Sequence, residues 1–179
     1  TVVADNRNKP EWIAADLLSQ AEHDPMAQSI LITDDAAFAE RVFEAAAAML
    51  GKLSPAAADA WRDYSAAVIA PLDGAAAIVN QIAPEHVEIA TEDPDAIARG
   101  VRHSGAIFLG RWAPEALGDY VTGSNHVLPT SGAARFASGL SVLDFMKRTS
   151  IQRISEQGFN ALADAAETLA ESEGLPAHK

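Results

Sequence analysis

The chain has 179 residues, of which 49% are hydrophobic and 21% charged, a composition typical of a globular domain with a sizeable core. Its formal net charge of −12 argues against nucleic acid or an anionic membrane as a partner, because both are bound through clustered lysine and arginine. The absence of cysteine excludes disulfides, cysteine-ligated zinc and thiol nucleophiles, and fits a reducing cytoplasm. No apolar run reaches the ~18 residues of a membrane span, and no signal peptide is visible.

The predicted elements alternate between short apolar strands and helices. One helix start is marked by Asn8, Pro10 and Glu11, which supply a cap, a first-turn proline and an acidic residue. In chain order, the pattern predicts a strand at 2–4, a helix at 11–23, a strand at 30–33, a helix capped by Asp34 or Asp35 that runs to about Leu50, a helix at 55–63, a strand at 66–71, a helix near 73–82, a strand at 86–90, a helix at 94–101 and a strand at 106–110. After residue 140 no strand is predicted, and apolar spacing predicts a helix over 150–173, interrupted near Gly158.

This alternation predicts an α/β fold with a layered, largely parallel sheet flanked by helices, as in an incomplete Rossmann-like domain, followed by a helical C-terminal tail. We divide the chain at residue 140, into 1–140 and 141–179. The opening TVVAD reads as a strand of a domain whose first part is missing, so we expect the chain to be a fragment of a longer protein. Neither GxGxxG nor GxxxxGK[ST] occurs, so the residues give no independent signal for dinucleotide binding.

Two polar pairs are candidates for chemistry. Gln20 and His23 lie three residues apart at the end of a predicted helix, so their side chains share a face and could hold a cation such as zinc; most such pairs are simply solvated. Glu85 and His86 would point to opposite faces of a regular strand, so they can share a substrate only at an irregular start of the strand. Pro84 biases Ala83 toward extended backbone, which fits such a start, although the pair considered alone favours a plain exposed strand end.

Two further polar segments stand out. GDYVTGSNHVLPT, residues 118–130, fits neither a helix nor a strand pattern and reads as a long polar loop. Such loops often carry function: Asp119 could be a metal ligand and His126 a hydrogen-bond partner, with a plain solvated loop as the alternative. Near the C-terminus, Glu173 falls in a last helical turn, where negative charge opposes the helix dipole unless a cation or amine lies close. A frayed helix end also tolerates it.

Taken in order, four segments resemble one known family. SQAEHDP, APEHVEIA, GAIFLGRWAPEALGDYVTGSNHVLPTSG and LPAHK resemble the C-terminal part of the histidinol dehydrogenases, and the resemblance covers essentially the whole chain. Members of that family are longer, zinc-dependent homodimers that oxidise L-histidinol to L-histidine in two NAD-linked steps through an aldehyde, as the last step of histidine biosynthesis. The resemblance implies zinc and NAD as cofactors, histidinol as the substrate, no nucleic-acid or membrane partner, and a cytoplasmic location.

The resemblance also implies residue roles. Gln20, His23 and Asp119 correspond to three zinc ligands, and His178 corresponds to the fourth, which reaches the site across the dimer interface. Two nitrogens and two oxygens form a reasonable zinc ligand set. The tail at 141–179 would therefore contact the partner subunit.

Glu85 and His86 correspond to the acid–base pair: His86 accepts the alcohol proton, and Glu85 activates water for the second oxidation. His126 and Glu173 correspond to substrate contacts, with Glu173 near the amine, and the zinc ligands and His86 complete the substrate-binding set. In the family, zinc mainly holds the nitrogen atoms of the substrate.

The family's nicotinamide-binding segment precedes the matched region, so the resemblance implies that this chain contains no NAD-binding residues and is inactive alone. Two alternatives stay open. One is a related zinc-dependent dehydrogenase of another small polar alcohol, and the other is a non-catalytic zinc-binding or dimerisation module.

Overall fold

A computed structural model describes residues 1–178. These residues form five strands, β1 Val2–Ala4, β2 Ser29–Thr33, β3 Ser65–Ile69, β4 His86–Ala90 and β5 Ala106–Leu109. They also form seven α-helices, α1 Pro10–Ala21, α2 Ala36–Leu50, α3 Pro55–Tyr64, α4 Ala75–Ile82, α5 Pro94–Ala98, α6 Glu115–Tyr120 and α7 Glu156–Ser172, with short 3-10 turns at Leu72–Gly74, Ala133–Arg135, Val142–Phe145 and Pro176–His178. Among these described residues, no helix combines the length and the apolar character needed to cross a membrane.

The strands form one parallel sheet in the order β3-β2-β1-β4-β5. Parallel neighbours require crossover connections, which the helices supply. One apolar core joins the sheet to α1 and α2 through residues such as Leu17 and Phe38. A second core joins the opposite face to α4 and α5 through Val79 and Ile97. Helices on both faces of a parallel sheet confirm the predicted α/β class.

Local signals explain where several helices begin. Asp35, not Asp34, caps α2: its side chain accepts a hydrogen bond from the Phe38 amide at 2.8 Å. Asp93 caps α5 in the same way through the Ala96 amide at 3.1 Å. Both caps satisfy an amide that has no partner inside the helix. The predicted helix at 94–101 is too long, because the regular turns of α5 end at Ala98.

The chain separates into two compact units, Thr1–Ser141 and Val142–Lys179. The second unit contains α7, whose N-cap Ser155 accepts a hydrogen bond from the Gly158 amide at 3.1 Å. This cap explains why the helix starts at Glu156 rather than at the predicted residue 150. Gly158 lies in the first turn of α7 and does not interrupt the helix, which corrects the predicted break.

Side chains of the chain itself occupy the carboxyl edge of the sheet between β1 and β4. The Asn8 amide donates to the Ala90 carbonyl oxygen at 2.7 Å. One guanidinium nitrogen of Arg111 donates to both carboxylate oxygens of Asp5, at 2.6 and 2.7 Å. In open parallel sheets, ligands usually bind at this edge, where the connections diverge to opposite faces. Here the crevice is bridged by hydrogen bonds and an ion pair.

Candidate active site

The end of α1 brings Gln20 and His23 to the amino edge of the sheet. A crossover helix runs antiparallel to the strands that it connects, so its last turn lies beside the strand starts. Gln20 is half-buried in this turn, whereas His23 follows the helix and is exposed. The His23 ring meets the ring of His86 edge-on, with 6.4 Å between their centroids. Gln20 and His23, the pair predicted to bind a cation, therefore lie close to His86, the residue expected to accept the substrate proton.

The segment before β4 places Glu85 and His86. Ala83 ends α4 in the left-handed conformation, with φ 52° and ψ 60°, and its amide donates to the Val79 carbonyl at 2.8 Å. The expectation of extended backbone at Ala83 is therefore wrong, because this residue closes the helix. The irregular start predicted for the strand is present, since the left-handed turn directly precedes Pro84.

The two residues of this pair have different surroundings. His86 is the first residue of β4 and is only 2% exposed. Glu85 is half-buried and precedes the strand. It lines a cavity of about 770 Å³ together with Gln20 and His23, and the lining also includes Ser131 and Arg135. Glu85 therefore faces the cavity, whereas the neighbouring His86 is buried and is not one of its lining residues.

The polar stretch at 118–130 is not wholly a loop, which corrects that prediction. Its first three residues belong to α6, and Asp119 lies in the last turn of that helix. The sequence signal was Pro114 followed by Glu115, a proline at the cap and an acid in the first turn. Gly118 hides the helical pattern, but it is required: a Cβ atom there would lie 2.1 Å from a ring carbon of Phe108.

Glu115 and Asp119 project from α6 to the two nitrogens of His86. Nδ1 lies 3.4 Å from Glu115 Oε1, and Nε2 lies 3.6 Å from Asp119 Oδ1. Gln20 Nε2 also donates a hydrogen bond to Glu115 Oε1. Both ring nitrogens are buried, and neither makes a hydrogen bond within the described part of the chain. The imidazole is therefore held between two carboxyl groups, with donor and acceptor capacity left for a bound molecule.

Burial sets the protonation of this cluster. It lowers the pKa of His86 to about 4, although the charge of Asp119 acts in the opposite direction. Burial also raises the pKa of Glu115 to about 8, with the negative charges of Asp119 and Glu85 adding to the effect. Without a bound cation, His86 is thus neutral at neutral pH and available as a proton acceptor. The crowding of carboxylates favours a positive charge among them.

The same residues fit a metal ion. Ligand atoms of His23, Glu115 and Asp119 all lie within 4.8 Å of one another. An imidazole nitrogen and carboxylate oxygens are ligands that zinc accepts, at roughly 2.0–2.2 Å from the ion, so small side-chain movements would close the shell. Gln20 is hydrogen-bonded to Glu115 at the rim of this group. The donor set and the unpaired buried nitrogens of His86 together fit a divalent cation.

The remaining predicted site residues are His126, Glu173 and His178. His126 is in the exposed segment after α6, and no hydrogen bond or ion pair found within residues 1–178 joins it to the cluster. Glu173 is the C-cap of α7, and His178 lies in the last 3-10 turn. Both are exposed residues of the second unit. The first unit therefore gathers Gln20, His23, Glu85, His86 and Asp119.

Sequence reasoning missed two buried acids beside the cluster. Glu115 is 5% exposed, and Glu88, two residues after His86 on the same face of β4, is 4% exposed. Burial raises the pKa of Glu88 to about 9, and its hydrogen-bonded neighbour Asp16 on α1 adds to this effect. The signal for Glu88 was its place in HVEIA, because alternate residues of a strand share a face.

Comparison with known proteins agrees with this architecture. The family model described as histidinol dehydrogenase matches residues 1–179. The chain is 62% identical over 179 residues to histidinol dehydrogenase of Caulobacter vibrioides and 57% identical over 181 residues to that of Rhodospirillum rubrum. In both cases the match covers 99% of this chain and 42% of the relative.

A solved structure shows the same likeness. The crystal structure of histidinol dehydrogenase from Elizabethkingia anophelis superposes with a TM-score of 0.86 at 36% identity, over 99% of this chain and 42% of that one. The chain thus spans less than half the length of the relatives that it matches. Fold, sequence and family match agree along its whole length, and the chain belongs to the histidinol dehydrogenase family.

Proposed function

We propose that the protein containing this chain oxidises L-histidinol to L-histidine through an aldehyde, in two steps that each transfer a hydride to NAD. The observation that carries this proposal is the position of His86: a buried, neutral imidazole that lies between two carboxylates and beside a cluster able to bind zinc. An alcohol oxidation needs a base for the hydroxyl proton, and a neutral imidazole supplies one near neutral pH. A biosynthetic role of this kind fits a cytoplasmic location.

In the first step, His86 accepts the hydroxyl proton on the ring nitrogen that faces Asp119, while the substrate carbon loses its hydride to NAD. In the second step, Glu85 removes a proton from the water that adds to the aldehyde, and the resulting hydrate loses a second hydride. Burial raises the pKa of Glu85, which is the direction that makes its carboxylate a stronger base. When bound, zinc holds the imidazole and amino nitrogens of the substrate as a Lewis acid.

Zinc would be held by Gln20, His23 and Asp119 of one subunit and by His178 of the other subunit in a homodimer. Glu173 and His126 would contact the substrate, Glu173 at its amine. The exposed apolar side chains along α7, which include Phe159, Leu162 and Leu169, support a partner that covers the second unit. We assign the NAD contacts to residues outside this chain, because the chain spans 42% of its relatives and contains no glycine-rich phosphate loop.

The direct test uses the full-length protein. We expect L-histidinol to reduce NAD, with two NADH formed for each histidine, and we expect chelation of zinc to abolish turnover and added zinc to restore it. The purified 179-residue chain should show no turnover under the same conditions. The proposal fails if the full-length, zinc-loaded protein leaves histidinol unchanged, or if it oxidises simple diols with equal kcat/KM.

A further inference from the structure

One carboxylate oxygen of Glu115 serves two different parts of the site. Oε1 accepts a hydrogen bond from Gln20 Nε2 and lies 3.4 Å from His86 Nδ1. Gln20 is on α1, His86 begins β4 and Glu115 opens α6. Three separate elements therefore meet at one buried acceptor, which is 5% exposed.

At Gln20, this contact decides which end of the amide can bind a metal. An amide oxygen has lone pairs to offer, whereas the amide nitrogen is a donor of hydrogen bonds and a poor ligand. Because Nε2 is directed at Glu115, Oε1 is left free for the cation. A residue behind a ligand commonly fixes its orientation in this way.

At His86, the same oxygen selects the tautomer. A neutral imidazole carries its hydrogen on one nitrogen and has a lone pair on the other. Nδ1 faces Glu115 and Nε2 faces Asp119 at similar distances. When Asp119 is engaged by the cation, Glu115 is the carboxyl group left to accept the hydrogen of Nδ1, so Nε2 is the proton acceptor. The 3.4 Å separation is longer than a hydrogen bond, as is common before a substrate is bound. A carboxylate plays the corresponding part for histidine in hydrolytic triads.

We propose that Glu115 is a positioning residue that links the two halves of the site, orienting Gln20 toward the metal and His86 toward the substrate through one shared oxygen atom. This inference rests on the proposed function for its catalytic half. The part of the inference that concerns metal affinity depends only on Gln20 and the cation.

Two substitutions in the full-length protein separate these effects. Glu115→Ala removes the acceptor, so zinc affinity, measured by competition with a chromophoric chelator, should fall on the order of 10- to 100-fold. Glu115→Gln keeps an Oε1 acceptor without the charge, so zinc affinity should stay within about threefold. Its kcat should still fall by roughly tenfold or more with little change in KM. A cation bound among the acids favours the charged form of Glu115, and a neutral amide stabilises a protonated His86 less well than that carboxylate does.

The cobalt-substituted protein provides a further readout. If Glu115 acts through Gln20, the visible spectrum of bound Co²⁺ should be the same in Glu115→Gln as in the unmodified protein. Glu11→Ala is the matched control, because Glu11 is also a first-turn acid but is exposed on α1. It should leave zinc affinity and kcat unchanged.

The outcomes are distinct. Unchanged zinc affinity in a folded Glu115→Ala, unchanged kcat in Glu115→Gln, or a changed cobalt spectrum in Glu115→Gln would each overturn the inference, and the last result would make Glu115 a ligand itself. If Glu115→Ala does not fold, Glu115→Gln decides: retained zinc with reduced kcat supports the role, and any other result overturns it. Failure of the proposed function would show differently, as the absence of NAD reduction in the unmodified protein.

Discussion

His86 illustrates how a single residue obtains its properties from its surroundings. In APEHVEIA, the histidine is one polar residue at a strand start, and nothing in that segment specifies burial or neighbours. The fold encloses the ring to 2% exposure and places carboxylates beside both nitrogens. The predicted pairing of Glu85 with His86 required an irregular strand start, and the left-handed Ala83 provides it. The carboxyl groups beside His86 come from α6, and the sequence around His86 could not specify these neighbours.

Glu88 allows a prediction about stability and pH. In the folded chain its pKa is about 9, against a usual value of 4.5, so between these pH values the folded state binds more protons than the unfolded state. The stability contributed by this group is complete below pH 4.5 and is lost as pH rises toward 9. Glu88→Gln keeps the shape and removes the titration. The free energy of unfolding should then fall less steeply between mildly acidic and mildly alkaline pH, by on the order of 1 kcal/mol per pH unit.

The measurement is urea unfolding of the chelator-treated protein across that range. Asp16 and Glu115 also face this region with raised pKa values, so some slope should remain in the variant. Glu40→Gln, an exposed position on α2, serves as the control and should retain the slope of the unmodified protein. Parallel curves for Glu88→Gln and the unmodified protein would contradict the prediction.

At the scale of elements, α6 shows what sequence patterns can and cannot provide. The central strands β1, β2 and β4 were predictable because burial on both faces gives short apolar runs, and the longer helices were predictable because helical spacing repeats over several turns. The six residues of α6 are too few for a repeat, and Gly118 weakens the pattern further. Strand order is also not encoded in any local segment, because the pairing of β1 with β4 joins residues far apart in sequence.

The close packing of Gly118 against Phe108 should affect both the stability of the protein and zinc binding, although neither residue belongs to the proposed site. Gly118→Ala would place a methyl group 2.1 Å from the Phe108 ring, so the ring or α6 must shift, and a shift of α6 would carry Asp119 with it. We expect a loss of about 1–3 kcal/mol in stability, together with weaker zinc binding. Calorimetry and chelator competition measure the two effects.

A second substitution tests the cause. Adding Phe108→Leu to Gly118→Ala opens space at the contact and should recover part of both losses. Gly74→Ala is the control, since a Cβ atom at Gly74 meets nothing within 4 Å, and it should behave like the unmodified protein. Equal defects in the single and double variants would show that the ring contact is not responsible.

At the scale of the whole molecule, the proposed site depends on two chains. His178 and Glu173 belong to the second unit of the chain, Val142–Lys179, and the proposed function assigns them to a site shared between subunits. Sequence alone suggested this only through resemblance, because no periodicity or spacing reveals which subunit supplies a ligand. Subunit mixing can test it.

His178→Ala and His23→Ala proteins should each be inactive as homodimers. When the two are unfolded, mixed in equal amounts and refolded, half of the dimers are mixed, and each of these has one intact site. About a quarter of the unmodified activity should therefore return if ligands are shared across a two-fold interface. No recovery, although mass spectrometry detects mixed dimers, would place His178 in the site of its own subunit.

The position of the site at the amino edge of the sheet affects which segments of such a protein can vary in length or sequence. Residues around the cavity come from segments that precede strands or follow helices, such as Glu85 and His23. The connections that follow β1 and β4 are tied down by Asn8 and by the Asp5–Arg111 ion pair. The connections that follow β1 and β4 carry none of the proposed site residues, whereas the connection after β5 leads directly into α6 with Glu115 and Asp119. Altering substrate choice by design should therefore begin with the turns that lead into the strands and with the segment between β5 and α6.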